Sequence, residues 1–146
     1  MTDFNAVADV ARALHNALEQ DIGVQDVLGF PPRLYDDPPE DPIFPYLTYG
    51  PIRSEDNSAD GARLTVHMMT LHIWSRYTGR AEALALMGVI AAAFNEASFT
   101  LSGAPGGAEC VSRHIIYTDV FRASDGLTLH GLLRLRVTTD QELETI

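Results

Sequence analysis

Cysteine is nearly absent from this chain, whose 146 residues include one, Cys110. A single cysteine excludes an internal disulfide and gives no sign of an oxidising compartment. A chain of this length needs neither a disulfide nor a metal to fold, because it can bury about 70% of the surface that its unfolded form exposes. With 46% hydrophobic residues, the composition predicts one globular domain spanning residues 1–146 and excludes a disordered or fibrous protein.

Lysine is absent altogether. The ten basic residues are all arginine and stand against 20 acidic residues, so the net charge is −10. A net-acidic chain will not coat nucleic acid, because non-specific affinity comes from neutralising phosphates. Such a chain could still line a passage through which DNA slides without sticking.

Long hydrophobic runs are also missing. The longest stretch without a charged or strongly polar residue covers residues 83–94, which is too short to span a bilayer. Residues 1–5 carry no positive charge and no apolar run, so we expect no signal peptide.

Apolar spacing predicts two helices. The first spans residues 4–22, with Thr2 or Asp3 as its N-cap and Gly23 at its end. The second begins at Thr78 or Gly79 and runs to about residue 97. It has almost no polar face, which indicates a helix that is central to the subunit or covered by a neighbouring one. The predicted packing positions are Phe4, Val7, Ala11, Leu14, Leu18 and Ile22 in the first helix and Ala83, Met87, Ile90, Phe94 and Ala97 in the second.

Residues 29–51 hold seven of the eight prolines, which predicts an extended, solvated segment. Two short strands are expected within it, at 33–35 and 46–50, and a polar loop follows at 54–61. The segment carries four acidic residues, Asp36, Asp37, Glu40 and Asp41. They form either a solvated loop or a docking loop for a partner, because a catalytic carboxylate pair usually needs burial.

Three longer strands are predicted. In residues 63–75 the apolar phase changes at Met68–Met69, which indicates a β-bulge there or, as we favour, a strand buried on both sides. Residues 111–122 and 127–138 form a hairpin around Asp125-Gly126. The acidic tail 140–146 is expected to fray. The fold class is therefore α+β, with an N-terminal helix, a mostly antiparallel sheet, a long C-terminal hairpin and one central apolar helix packed on the sheet.

The histidines do not have the spacing of a metal site. His67 and His72 should lie on opposite faces of one strand. His114 should pair near residue 136, away from His130, and His15 lies in the first helix. We expect no metal and no cofactor.

No nucleophile elbow or phosphate-binding loop is present. Cys110 adjoins an apolar strand and is predicted to be structural, since a nucleophile needs a lowered pKa. A small enzyme that uses Cys110 with a histidine stays open as an alternative.

Arg134 and Arg136 share one face of the predicted hairpin. They either pair across strands with acids such as Asp119 or form ion pairs with an acidic patch on another subunit. Both interpretations stay open.

Five segments, in three regions of the chain, carry a resemblance to a known family. They are RLYDDPP at 33–39 followed by FPYLT at 44–48, LHIWS at 71–75 followed by GRAE at 79–82, and the closing DGLTLHG at 125–131. In this order and spacing, over residues 14–137, the chain resembles the tail-completion, or tail-terminator, proteins of long-tailed phages and gene transfer agents.

The resemblance implies a structural virion protein with no catalytic residues. Its subunits form a hexameric ring at the head-proximal end of a non-contractile tail tube, where the ring ends tube polymerisation and joins the tail to the neck. The implied partners are other copies of the chain, the tail tube protein and a neck or stopper protein, with DNA passing through the lumen and no membrane involved. Assembly is expected in the bacterial host cytoplasm. The alternative within the same apparatus is a neck or stopper connector. The candidate interface residues are Asp36, Asp37, Glu40, Asp41, Arg134 and Arg136.

Overall fold

A computed structural model describes residues 6–97, 99, 101 and 108–141. Three helices pack on one face of a five-stranded sheet with strand order β1-β2-β3-β5-β4, and all pairings except β1–β2 are antiparallel. The α+β prediction is confirmed. The elements are α1 (Ala6–Gln20), α2 (Ile22–Leu28), β1 (Leu34–Tyr35), β2 (Tyr46–Asp56), β3 (Leu64–Ser75), α3 (Ala81–Glu96), β4 (Ala108–Arg122) and β5 (Leu129–Gln141).

The N-terminal helical region is two helices, so the prediction of one helix through Ile22 is wrong. The Asp21 carboxylate accepts a hydrogen bond from the Val24 N–H at 3.0 Å and caps α2, which starts a new helix where the first one ends. Gly23 therefore lies inside α2, and Ile22 is 74% exposed. The buried positions of α1 are Ala6, Val10, Ala13, Leu14 and Leu18. The predicted N-cap and Phe4 lie outside the described residues.

The proline-rich segment contains both predicted short strands, but the second is longer than expected. β1 pairs in parallel with the start of β2, Leu34 opposite Leu47. β2 continues to Asp56, past a register shift between Tyr49 and Ile52 that includes Pro51. Proline is tolerated there because an edge strand does not need every N–H for its ladder. The predicted loop at 54–61 therefore begins after Asp56.

β3 has no bulge and is not buried on both faces, so these two expectations are wrong. Its register with β5 is unbroken from Leu64 opposite Asp140 to Ser75 opposite Leu129. Odd-numbered residues are buried under the helices, and even-numbered ones are half-buried on the other face. The change of apolar phase reflects apolar residues on both faces, because Leu64, Val66 and Met68 occupy the uncovered one.

α3 begins and ends within three residues of its predicted bounds. The buried side chains that contact the sheet are Ala83, Leu86, Met87, Ile90, Ala93 and Phe94. Leu84 is 48% exposed, and Ala85, Gly88 and Ala92 are also exposed. The helix therefore covers the sheet with one face and leaves a second apolar face uncovered in the single chain.

The C-terminal hairpin is confirmed. In its turn the Asp125 carboxylate accepts hydrogen bonds from the Leu127 and Thr128 N–H groups and from the Thr128 hydroxyl, which together lower its pKa to about 2. The second strand begins at Leu129 rather than at the predicted Leu127, which belongs to the turn and is 65% exposed. β5 runs to Gln141, with Asp140 opposite Glu109, so residues 140 and 141 are ordered strand rather than frayed tail. Residues 142–146 lie outside the described part.

His67 joins three strands by hydrogen bonds inside the core. It is fully buried on β3, its Nδ1 lies 2.7 Å from the Ser54 hydroxyl of β2, and its Nε2 lies 2.9 Å from the Thr139 hydroxyl of β5. A neutral imidazole has one donor and one acceptor nitrogen, and a hydroxyl can serve either one. Burial lowers the pKa of His67, so the neutral form that this arrangement requires is favoured. His67 and His72 lie on opposite faces of β3, as predicted.

Among the helices that the structure describes, none has the length and apolar character needed to cross a bilayer.

Candidate interaction surface

The sheet has one face that the helices leave uncovered. We call it the open face and define it by the even-numbered side chains of β3 and the residues beside them on the neighbouring strands. On β3 these are Leu64, Val66, Met68, Thr70, His72 and Trp74, all half-buried. An uncovered sheet face with apolar side chains is typical of a surface that another molecule covers.

Arg134 and Arg136 share one face of the sheet, as predicted, and that face is the open face. They stand opposite Thr70 and Met68, and both are exposed. The Arg134 guanidinium carbon lies 5.2 Å from the centre of the Tyr117 ring. With Arg53 they border a shallow depression of about 530 Å³ over Val66 and Met68. Glu55, which is ion-paired with Arg53, borders it too. The rim is therefore positively charged on the β5 side and of mixed charge on the β2 side, around an apolar floor.

The cross-strand alternative for these arginines is not observed. Within residues 6–97, 99, 101 and 108–141, neither Arg134 nor Arg136 forms an ion pair. The Asp119 carboxylate instead accepts a hydrogen bond from the Tyr117 hydroxyl at 3.2 Å. The two guanidinium groups are therefore free to contact another molecule.

The acidic segment lies on a different side of the molecule. Its four carboxylates are exposed. Asp36 borders a 330 Å³ pocket between α1 and the sheet, beside Arg12, His15 and Tyr49. The structure therefore does not join the predicted interface residues within one chain, and a contact between the acidic segment and the arginines would have to involve two molecules.

Two residues that line this pocket, His15 and Tyr49, belong to a carboxylate–imidazole–phenol chain that the sequence did not indicate. The Glu19 carboxylate lies 2.7 Å from His15 Nε2, and His15 Nδ1 lies 2.7 Å from the Tyr49 hydroxyl. In a catalytic relay the terminal hydroxyl is activated. Here burial, followed by the negative charges of Asp36 and Glu19, raises the pKa of Tyr49, so the phenol stays protonated. The arrangement is that of a packed hydrogen-bond chain.

A cluster of aromatic rings and histidines occupies the other end of the open face. The ring of His130 lies 4.0 Å from that of Trp74 and 4.7 Å from that of Phe121, centre to centre. His72 Nδ1 lies 2.7 Å from His130 Nε2. Tyr46 stacks on the far side of Trp74. We call these five residues the aromatic cluster.

The sequence missed the contact between His72 and His130. The predicted register of His114, opposite Arg136, is confirmed and separates it from His130. The partner of His130 is instead on β3, where Trp74 stands opposite His130 and His72 is the next residue on that face. Predicting this contact would have required the register between β3 and β5, which brings together His72 and His130, 58 positions apart in the sequence. Burial lowers the pKa of both imidazoles, and the neighbouring His72 lowers that of His130 further.

Cys110 does not have the surroundings of a nucleophile. Its thiol is half-buried and lies 3.6 Å from the Ser112 carbonyl oxygen. Burial raises its pKa, whereas a reactive thiol needs a lowered one. Among the described residues, no three His, Cys, Asp or Glu side chains converge as metal ligands would. The chemistry on the open face is that of protein contact: cations, aromatic rings and uncovered apolar side chains.

Comparisons with known proteins show that solved structures share this fold. A chain from a structure titled "Virion of native gene transfer agent (GTA) particle" has a similar fold, with a TM-score of 0.81 at 19% identity, covering 94% of this chain and 99% of that one. The gp17 protein of bacteriophage SPP1 is similar with a TM-score of 0.60 at 21% identity, covering 91% and 90%. No curated protein matches this chain.

The sequence match is the finding that assigns a family. Residues 12–140 match the family described as tail completion protein gp17. The match begins within α1 and ends in β5, so it includes the whole sheet and the open face. The chain therefore belongs to the tail completion protein family.

Proposed function

We propose that this chain is a tail terminator: a structural virion protein whose copies form a ring, hexameric in our proposal, at the head-proximal end of a long tail tube. The ring ends tube polymerisation and joins the tail to the neck. The observation that carries the proposal is the family match over residues 12–140. The fold shared with a chain of a gene transfer agent virion supports a place in such a particle.

The ring contact is formed by two different surfaces of the subunit. A ring needs such heterologous contacts, in which one patch meets a different patch on the next copy. The unpaired Arg134 and Arg136 supply a positive patch that meets carboxylates of one neighbour. Asp36, Asp37, Glu40 and Asp41 supply a negative patch that meets arginines of the other neighbour. Complementary charge of this kind fixes the register of two partners and excludes wrong ones.

The role is structural rather than enzymatic. The two arrangements most like catalytic groups, Cys110 and the chain that ends at Tyr49, both have raised pKa values where a nucleophile needs a lowered one. The partners are then other copies, the tail tube and the neck protein. DNA passes through the ring without specific binding, which suits a subunit with a net charge of −10.

Antibody labelling of whole particles tests this location. Gold-conjugated antibody against the chain is applied to purified particles and to isolated tails and heads, and the label is located by electron microscopy. We expect one site of label at the head–tail junction that stays with the tail. Label that stays with isolated tailless heads would indicate the neck or stopper role instead, and label along the tube or at its distal tip would contradict both roles.

A further inference from the structure

The sheet ends in two open edges that lie on opposite sides of the molecule. On one side lies β4, a strand of 15 residues that pairs with β5 and with no other described strand. On the other, β1 pairs with β2 only at Leu47 and Thr48, so within the described chain the outer edge of β2 is unpaired beyond them. Open strand edges carry free N–H and C=O groups and readily pair with another chain.

The regular parts of these two edges have similar lengths. Register shifts at Cys110/Ser112 and Ile115/Tyr117 interrupt β4, and its longest uninterrupted part is Tyr117–Arg122. The shift in β2 leaves Ile52–Asp56. Bulges usually protect an edge from pairing, so protection is weakest in these two stretches. Large exposed side chains mark both of them: Ile52 is 43% exposed, Tyr117 46% and Phe121 42%.

Strand direction allows the two edges to join. The pairings β2–β3, β3–β5 and β5–β4 are all antiparallel, so β2 and β4 run in opposite directions. A second copy placed beside the first in the same orientation would bring its β2 alongside β4 as an antiparallel strand. The helices of both copies would then cover the same face of one continuous sheet.

We propose that neighbouring copies pair β4 with the outer edge of β2, with Asp119 opposite Arg53 of the next copy. This inference rests on the proposed ring and gives its contact a backbone geometry. Asp119 and Arg53 stand opposite Leu132 and Met68 in their own sheets, so both side chains lie on the open face and would meet there. Ile52 would then meet Val120 on the helix side, away from water.

Charge favours this register. Two positions along the strands from the Asp119–Arg53 pair, Glu55 of the next copy lies beside Tyr117. The Arg134 guanidinium already lies over the Tyr117 ring, so Glu55 would be its partner. Among the residues that the structure describes, Arg53 and Glu55 form an ion pair only with each other. The neighbour would therefore exchange one ion pair on its own strand for two between copies. The acidic residues 36–41, which follow β1 on the same edge, would lie towards Arg122 at the end of β4.

Paired cysteines test this contact. In a Cys110→Ser background, Arg53→Cys and Asp119→Cys are combined and the protein is oxidised at the concentrations where light scattering detects the native oligomer. We expect a ladder of disulfide-linked multimers. The matched control combines Arg53→Cys with Thr118→Cys, which is one residue away and on the opposite face, and should give at least about tenfold less product, because the two thiols cannot meet.

A charge exchange checks the same register without a new covalent bond. Arg53 and Asp119 are both exposed, so their substitution should leave the fold intact. We expect Asp119→Arg alone to weaken association about tenfold and Arg53→Asp in the same chain to restore it. Any of three results would overturn edge pairing: equal cross-linking in both cysteine variants, no cross-linking in either, or a native protein that is monomeric at every concentration. Gold label at the head–tail junction together with any of these results would refute edge pairing while leaving the proposed function standing.

Discussion

Reversing the two arginines of the open face, Arg134→Glu with Arg136→Glu, should lower the yield of joined, DNA-transferring particles by about 100-fold, since like charge placed across an interface costs several kcal/mol. Each guanidinium is exposed and lacks an ion pair within the described residues, so the substitutions remove no internal contact between charges. The subunit should fold normally but fail to associate with the carboxylates of its neighbour. The measurement is a count of transferring particles beside size-exclusion chromatography of the purified variant.

The control is Arg80→Glu, which reverses the charge of an exposed arginine on the helix side. Arg80 immediately precedes α3, where a negative charge is favourable for the helix. We expect this variant to assemble like the native chain. An unchanged particle yield and elution volume for the double variant would show that the open-face arginines do not contribute to assembly.

Replacing His67 with alanine should lower the free energy of unfolding by about 3 kcal/mol. The substitution leaves a cavity where the ring was fully buried, and it leaves the Ser54 and Thr139 hydroxyls without their partner. Three strands lose their shared polar contact together. Denaturant titration of the purified protein measures the effect.

Two further measurements separate the hydrogen bonds from the cavity. Thr139→Val keeps the shape of the partner and removes one hydrogen bond, so it should cost about 1 kcal/mol. A cost as small as this for His67→Ala would contradict a bridging role.

The pH dependence of the free energy of unfolding provides a second check on His67. Because burial lowers the pKa of His67, His72 and His130 in the folded state, the unfolded chain takes up protons first as the pH falls below about 6.5. Stability should therefore be full above that pH and decline below it, less steeply once His67 is removed.

The sequence predicted the elements whose signal lies within a few residues. The Asp125-Gly126 turn follows from local sequence, and the structure confirms it. Four of the five packing positions predicted for the second helix are buried in α3, and the fifth, Ala97, lies just past its end. The prediction around Asp21 was wrong because the Asp21 carboxylate accepts a hydrogen bond from the Val24 N–H. This bond begins a new helix where apolar spacing alone predicts a single one. β3 was misjudged because apolar residues on an uncovered face give the same pattern as a bulge.

The contacts that define the surface depend on strand register, which the sequence does not show. His72 approaches His130, and Arg134 extends over Tyr117, only because β5 lies between β3 and β4. The predicted residues Arg134 and Arg136 could be placed on one face by alternation. Alternation does not show that this face is the uncovered one or that the acidic residues lie elsewhere. Both facts depend on how the helices pack on the sheet.

The most direct test of the terminator role is electron microscopy of particles from a strain that lacks this gene. We expect tail tubes of uncontrolled length, or finished tails separated from DNA-filled heads, with normal particles restored when the native chain is supplied. Normal tails of uniform length on filled heads in the deletion strain would contradict it.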